Sequence, residues 1–213
     1  MCIRDSNIDN YVVQHTSKEN DLLYRLNRET YLKVLQPRML SGHFQGRALS
    51  MFSKMIKPQR ILEVGTYTGY SALCLAEGLV EGGRLHTIDK NEEREELVQC
   101  FVDESPYKGQ VIQHIGNAIE IIPTLKENWD IVFIDADKEN YINYYNLLIN
   151  HLKSGAYIIA DNVLWSGKVI QDYDSLDLET KTLVDYNKMI QEDSRVENVI
   201  FPIRDGLNIA RVI

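Results

Sequence analysis

From Arg60 to the C-terminus, short apolar runs alternate with stretches whose apolar residues recur at helical spacing. The runs are Ile61-Leu62-Glu63-Val64, Leu85-His86-Thr87-Ile88, Val111-Ile112-Gln113-His114-Ile115, Ile131-Val132-Phe133-Ile134 and Tyr157-Ile158-Ile159-Ala160. Short apolar strands separated by amphipathic helices are what a parallel sheet covered on both faces requires. Between the last two runs, Tyr141, Tyr145, Leu148 and Leu152 follow at steps of four, three and four, which predicts a helix with one apolar face. A polar stretch from Asp172 to Asp177 precedes a further helix over Leu178 to Gln191, and Val196 to Phe201 and Leu207 to Val212 read as a terminal strand pair. The turn Pro202 to Gly206 between them is too short for a crossover helix, so that pair is expected to be antiparallel.

Before Arg60 the pattern is helical. Thr16-Ser17-Lys18-Glu19 reads as a capping box, Leu22, Leu23 and Leu26 follow on one face, and Pro37 closes the segment. A second helix is predicted over Gly42 to Ile56, ending before Pro58. The expected architecture is therefore α/β and Rossmann-like, with seven strands, mostly parallel, an antiparallel C-terminal strand and an N-terminal helical cap. Residues 1–59 form the cap and 60–213 the ligand-binding domain, one functional unit.

Composition narrows the partners. A length of 213 residues fits one domain with a small extension, and 44% hydrophobic residues are enough for a sizeable core. Lys plus Arg is 23 against 31 for Asp plus Glu, a net charge of −8, which argues against nucleic acid and for a small molecule or a protein as partner. No apolar run reaches the ~20 residues of a membrane span, and Met1 to Asn7 lacks the blocks of a signal peptide, so a cytoplasmic protein is expected. Of Cys2, Cys74 and Cys100, the last two read as small buried hydrophobes; no Cys-x-x-Cys spacing suggests a metal site.

In a doubly wound sheet, ligands bind beyond the carboxyl ends of the strands, where the chain order reverses. After the first strand comes Gly65-Thr66-Tyr67-Thr68-Gly69-Tyr70-Ser71, a glycine-bearing turn that opens a helix. Such a turn brings backbone N–H groups close to a ligand. The G-x-G-x-x-G fingerprint is not met, because Tyr67 stands at its second glycine. Asp89, 24 residues beyond Gly65 at the end of the second strand, is placed to accept from both hydroxyls of a ribose, so an adenosine-containing ligand is expected. The fourth and fifth strands deliver Asp135 and the pair Asp161-Asn162, three hard oxygen donors suited to Mg²⁺ or a similar cation. Three protein ligands leave room for two adjacent oxygens of a substrate and one water.

The segments MLSGHFQG, ILEVGTYTGYSALCLA, LHTIDKN, GNAIEIIP, VFIDADKENYINYY, IIADNVLWSGKV and PIRDGLNIA, running from about Pro37 to the C-terminus, resemble the cation-dependent class I O-methyltransferases. This group contains catechol O-methyltransferase and caffeoyl-CoA O-methyltransferase, and the likeness is closest to its small bacterial members. The resemblance implies S-adenosylmethionine as the cofactor. Glu63, Gly65, Thr66 and Ser71 would surround its methionine part, with Ser41 closing over it, Asp89 on the ribose and Ala118 beside the adenine. Asp137 would lie near the amino group or sulfonium, with Asp135 also counted among the cofactor contacts.

The family's metal ligands map onto Asp135, Asp161 and Asn162, for Mg²⁺ or another divalent cation such as Mn²⁺ or Ca²⁺. Its general base maps onto Lys138, with Asp135 the second catalytic residue, and Lys138, Trp165 and Ser166 would meet the substrate. A free lysine is a poor base at neutral pH, but a neighbouring divalent cation disfavours its protonated form. The implied reaction is methyl transfer to a hydroxyl of a small phenolic acceptor with vicinal hydroxyls, in a homodimer joined through the N-terminal helices. Ser166 replaces an asparagine that contacts substrate in the plant enzymes, and the segment after Gly167 is short, so acyl-CoA specificity is not carried over. Met1 to Ser6 fits no part of this pattern and is given no function. Three alternatives remain: an S-adenosylmethionine-binding protein without catalysis, a nucleotide-dependent oxidoreductase of similar fold, and a nucleic-acid methyltransferase. The net charge of −8 and the lack of an N-P-P-Y motif oppose the last.

Overall fold

The computed structural model describes residues 6–213; Met1 to Asp5, with Cys2, lie outside the described residues. Three helices open the chain: α1 (Ser6–Gln14), α2 (Asp21–Lys33) and α3 (Gly42–Ile56). There follow β1 (Arg60–Val64), α4 (Tyr70–Ala76), β2 (Arg84–Asp89), α5 (Glu95–Glu104), β3 (Val111–Ile115), α6 (Ala118–Ile121), β4 (Ile131–Ile134), α7 (Tyr141–Leu148), β5 (Tyr157–Asp161), α8 (Leu178–Glu192), β6 (Val196–Phe201) and β7 (Leu207–Val212). The strands form one seven-stranded sheet in the order β3-β2-β1-β4-β5-β7-β6. All neighbours up to β5 are parallel, and β7 runs antiparallel between β5 and β6. The chain builds outward from β1 to β3, then returns to place β4 on the other side of β1. The topological switch point therefore lies between β1 and β4.

Strand alternation divides the core in two. Leu62, Val64, Val132, Ile134 and Ile158 face α7 and α8 through Tyr145, Leu183, Tyr186 and Ile190. Ile61, Ile131, Phe133 and Ile159 face the opposite way, in one cluster with Leu23 and Leu26 of α2, Leu49 of α3, Leu73 of α4 and Phe101 of α5. Each such aliphatic side chain contributes about 1.5–3 kcal/mol of burial. Helices α2 and α3 thus share a core with the helices of the sheet. No helix among the described residues is long and apolar enough to cross a membrane.

Several details differ from the sequence expectations. The cap of α2 is Asn20, whose side chain accepts from Leu23 N–H, whereas the Thr16 hydroxyl donates back to Val12 of α1. α1, which the apolar pattern did not announce, displaces the predicted capping box. α2 ends at Lys33, and Pro37 begins a separate 3₁₀ turn, Pro37–Met39, in keeping with a proline's fitness for a first helical position. α7 stops at Leu148, so Leu152 lies beyond it. Cys74 is buried as expected, but Cys100 is exposed, because Val98, Phe101 and Val102 form the inward stripe of α5 and position 100 falls outside it.

A partly buried polar pair joins β2 to the edge strand β3. His86 of β2, 7% exposed, shares a hydrogen bond of 2.9 Å between its Nδ1 and His114 Nε2, its ring stacks on that of His114, and its Nε2 has no partner. Burial and the neighbouring imidazole push the His86 pKa down to about 4. The native state thus binds fewer protons than the unfolded chain between pH 6.5 and about 4. This contribution to stability is full above about pH 6.5 and is lost as the pH falls through that window. We expect urea denaturation to show the wild type losing, relative to His86→Gln, on the order of 1 kcal/mol between pH 7 and pH 5.

Candidate active site

The carboxyl ends of the parallel strands open into a cavity of about 1180 Å³, ample for a nucleoside-sized ligand and a second small molecule together. At its floor, β1 is followed by Gly65, with φ of +103°, whose N–H bonds to Ile88 O at 2.9 Å. A Cβ at Gly65 would fall 1.9 Å from the carbonyl oxygen of Asp135, so only glycine lets the turn after β1 lie against the end of β4. The turn completes itself at Gly69, φ +85°, which caps α4.

On the β2 side, both oxygens of Asp89 are engaged. One accepts from Tyr67 N–H at 2.8 Å; the other accepts from Asn91 N–H at 2.9 Å and from Arg94 at 3.2 Å. The Arg94 guanidinium also lies over the Tyr67 ring, 4.9 Å from its centre. Gly116, Asn117 and Ala118 line the cavity beyond β3.

On the other side of the switch point, Lys138 begins a 3₁₀ turn, Lys138–Asn140, that leads into α7. Its ammonium donates to Asp135 Oδ1 at 3.1 Å, Asn162 Oδ1 at 2.9 Å and Tyr141 OH at 2.6 Å, and the side chain is almost wholly buried. Asp161 is 2% exposed, its Oδ1 accepting from Asn162 N–H at 2.7 Å and its Oδ2 from Gln45 Nε2 at 2.5 Å. Burial and the charge of Asp135 raise the Asp161 pKa above the ordinary carboxylate range. Asp137 is held by Tyr144 OH at 2.6 Å and by Asn140. Burial works to raise its pKa, but these hydrogen bonds prevail and hold it below its usual value.

The donor set suits a hard divalent cation. Asp135 and Asn162 already converge on one positive charge, the Lys138 ammonium, and a further cation would relieve the repulsion between Asp135 and Asp161. Among the described residues no three or more of His, Cys, Asp and Glu are placed so that together they could hold one metal ion, so a cation here would rest on two carboxylates and one amide oxygen.

Of the residues singled out from sequence, Gly65, Asp89, Ala118, Asp135, Asp137, Lys138, Asp161, Asn162, Trp165 and Ser166 line the cavity. Ser41, Glu63, Thr66 and Ser71 do not; they are buried behind its wall. Glu63 stands opposite Thr87 in the β1–β2 register and accepts from the hydroxyls of Thr87 and Ser71, each at 2.5 Å. Burial, with Asp135 and Asp89 nearby, pushes its pKa up to about 8.

Residues not foreseen also shape the site. Tyr141 and Tyr144 follow Lys138 and Asp137 by three and seven positions, a helical spacing; of the two, only Tyr141 stands among the sequence expectations, and there as a packing residue. Gln45, Arg94 and Arg204 carried no such signal. Of the six non-glycine residues with positive φ among those described, Tyr67, Asn162, Trp165, Ser166 and Arg204 line this cavity, and only Lys57 does not. Backbone strain of about 1–3 kcal/mol per residue is thus gathered at one place, as at ligand sites generally.

Comparison with known proteins gives one answer. A family model described as O-methyltransferase matches residues 13–213. Caffeoyl-CoA O-methyltransferase of Petroselinum crispum is 32% identical over 197 residues, covering 87% of this chain and 82% of the relative. Among solved structures, an O-methyltransferase from Bacillus cereus in complex with SAH superposes with a TM-score of 0.90 at 27% identity, over the full length of both chains. The O-methyltransferase TomG from Streptomyces achromogenes, involved in tomaymycin synthesis and solved with SAM, gives a TM-score of 0.87 at 28% identity, over 97% of this chain and 96% of that one.

Gly65→Ala should destabilise the chain by at least about 2 kcal/mol, since it combines overpacking against a backbone oxygen with a disfavoured φ. Urea denaturation checks this; a loss below about 0.5 kcal/mol would mean that β1 and β4 are not held this closely.

Proposed function

This chain belongs to the O-methyltransferase family and is an enzyme of that class, and we propose that it transfers a methyl group from S-adenosylmethionine to one hydroxyl of a small catechol-like acceptor, assisted by a divalent cation. The observation that carries this reading is Lys138, buried among Asp135, Asn162 and Tyr141 at the edge of a cavity large enough for donor and acceptor.

Bound S-adenosylmethionine supplies an electrophilic methyl on a sulfonium, and its positive charges suit a cavity lined by Asp89, Asp135, Asp137 and Asp161. Asp89 would take the ribose hydroxyls, Ala118 would border the adenine, and Gly65 would bring backbone to the methionine part. Ser41, Glu63, Thr66 and Ser71 would support that end from behind the wall, and Asp137, steadied by Tyr144, would serve the amino group or sulfonium. A divalent cation such as Mg²⁺, held by Asp135, Asp161 and Asn162, supplies the Lewis acidity that makes a phenolic hydroxyl easier to ionise and favours acceptors with two adjacent oxygens.

Lys138 accepts the proton of the reacting hydroxyl. Tyr141 OH and Asn162 Oδ1 hold its nitrogen toward the acceptor, so the proton has a fixed destination. Trp165 and Ser166 wall the acceptor, both at positive φ in the turn after β5. Orienting the two reactants and neutralising the developing phenolate carry most of the acceleration. We further propose that the protein works in the cytoplasm and as a homodimer joined through the N-terminal helices, the dimer being supported by exposed Tyr24, Tyr31 and Leu32 on α2.

With labelled S-adenosylmethionine and a panel of vicinal diphenols, we expect methyl transfer that EDTA abolishes and Mg²⁺ restores. Lys138→Ala should lower kcat by about 10²-fold or more while S-adenosylmethionine affinity persists. Metal-independent transfer, or unchanged kcat in the variant, would overturn the assignment.

A further inference from the structure

Asp161 has a partner that lies far away in the chain. Gln45 of α3, 1% exposed and 116 positions from Asp161, donates from Nε2 to Asp161 Oδ2 at 2.5 Å. Its Oε1 lies 3.4 Å from Arg204 Nη1, in the turn between β6 and β7. The same guanidinium nitrogen donates to Leu40 O at 2.8 Å and to Ser41 O. Arg204 makes no ion pair among the described residues; its partners are carbonyl oxygens. The side-chain amide has only one sensible orientation here, its NH₂ toward a carboxylate and its oxygen toward a guanidinium.

We propose that Gln45, anchored by Arg204, is a positioning residue that sets the orientation of the Asp161 carboxylate and thereby the cation affinity of the acceptor side of the site. A buried carboxylate held at one oxygen only by its neighbour's N–H retains freedom to turn. The Gln45 N–H removes that freedom and leaves the remaining lone pairs of Asp161 for the cavity. Outer hydrogen-bond partners of this kind change metal affinity about 10- to 100-fold when removed. Gln45 does not line the cavity, so it reaches a cation there through the carboxylate of Asp161. Arg204 extends the arrangement by tying the last hairpin turn to the carbonyls at the start of α3, so the amide is held from behind as well.

This inference rests on the reading that Asp135, Asp161 and Asn162 hold a cation, and the experiment separates the two. Mn²⁺ affinity is measured by electron paramagnetic resonance titration, and S-adenosylmethionine affinity by calorimetry, for the wild type, Gln45→Leu and Arg204→Met. We expect Gln45→Leu to weaken Mn²⁺ binding about 10- to 100-fold with S-adenosylmethionine affinity within about twofold. Arg204→Met should act in the same direction by less than about tenfold. Mn²⁺ affinity unchanged in Gln45→Leu overturns the role of Gln45. Parallel loss of both affinities with a lowered melting temperature overturns it too, since that is what general loosening produces. Should Gln45→Leu fail to fold, unchanged Mn²⁺ affinity in Arg204→Met overturns the proposal by itself. A wild type that does not bind Mn²⁺ refutes the cation reading itself, a different failure.

Discussion

Where β1 meets β4 at the switch point, two backbones lie too close for any side chain between them. Asp135 N–H bonds to Val64 O at 2.8 Å, and the carbonyl of Asp135 occupies the space a Cβ at Gly65 would need. That contact brings the turn after β1 and the acidic turn after β4 to the two sides of one cavity. Were Gly65, the residue after β1, replaced by one with a side chain, the two strand ends would have to part, and with them the turns that carry Asp89 and Asp135 to one space.

Charge supplies the second constraint. Drawing carboxylates out of water costs free energy unless they are hydrogen-bonded or paired. Buried Asp161 is held by Asn162 and Gln45, half-buried Asp89 by Tyr67, Asn91 and Arg94 and half-buried Asp135 by Lys138, while the exposed Asp137 is held by Tyr144 and Asn140. Burial, with the charge of Asp135 adding to it, keeps the pKa values of Glu63 and Asp161 raised despite their partners, and a positive charge brought close would favour their ionised forms.

Much of this was legible along the chain. Apolar runs at β1 to β5 and the short turn before β7 announced the mixed sheet, because strand burial and helix amphipathicity leave local periods. The acids at strand ends were legible for a similar reason: a parallel sheet sends the residue after each strand to one edge. Cys100 misled, since a cysteine's usual burial says nothing about which side of α5 position 100 takes. The capping box at Thr16 misled because Asn20, four positions on, offered its side chain to Leu23 N–H and the intervening chain took another course.

The sequence by itself determined the class of fold, the edge of the sheet on which chemistry gathers, and the kinds of donor found there, since each follows from spacing within a few residues. Only the tertiary structure decided which of those residues reach the cavity and which stand behind it. Glu63 is turned toward Thr87 and Ser71 by its cross-strand register, and Ser41 is buried at the start of α3. The structure alone joined Gln45 to Asp161 and Arg204 to Leu40, contacts that span more than a hundred positions. Such pairs leave no periodic trace, because they arise when separate elements dock, and docking is settled by the packing of the whole core rather than by any local stretch of chain.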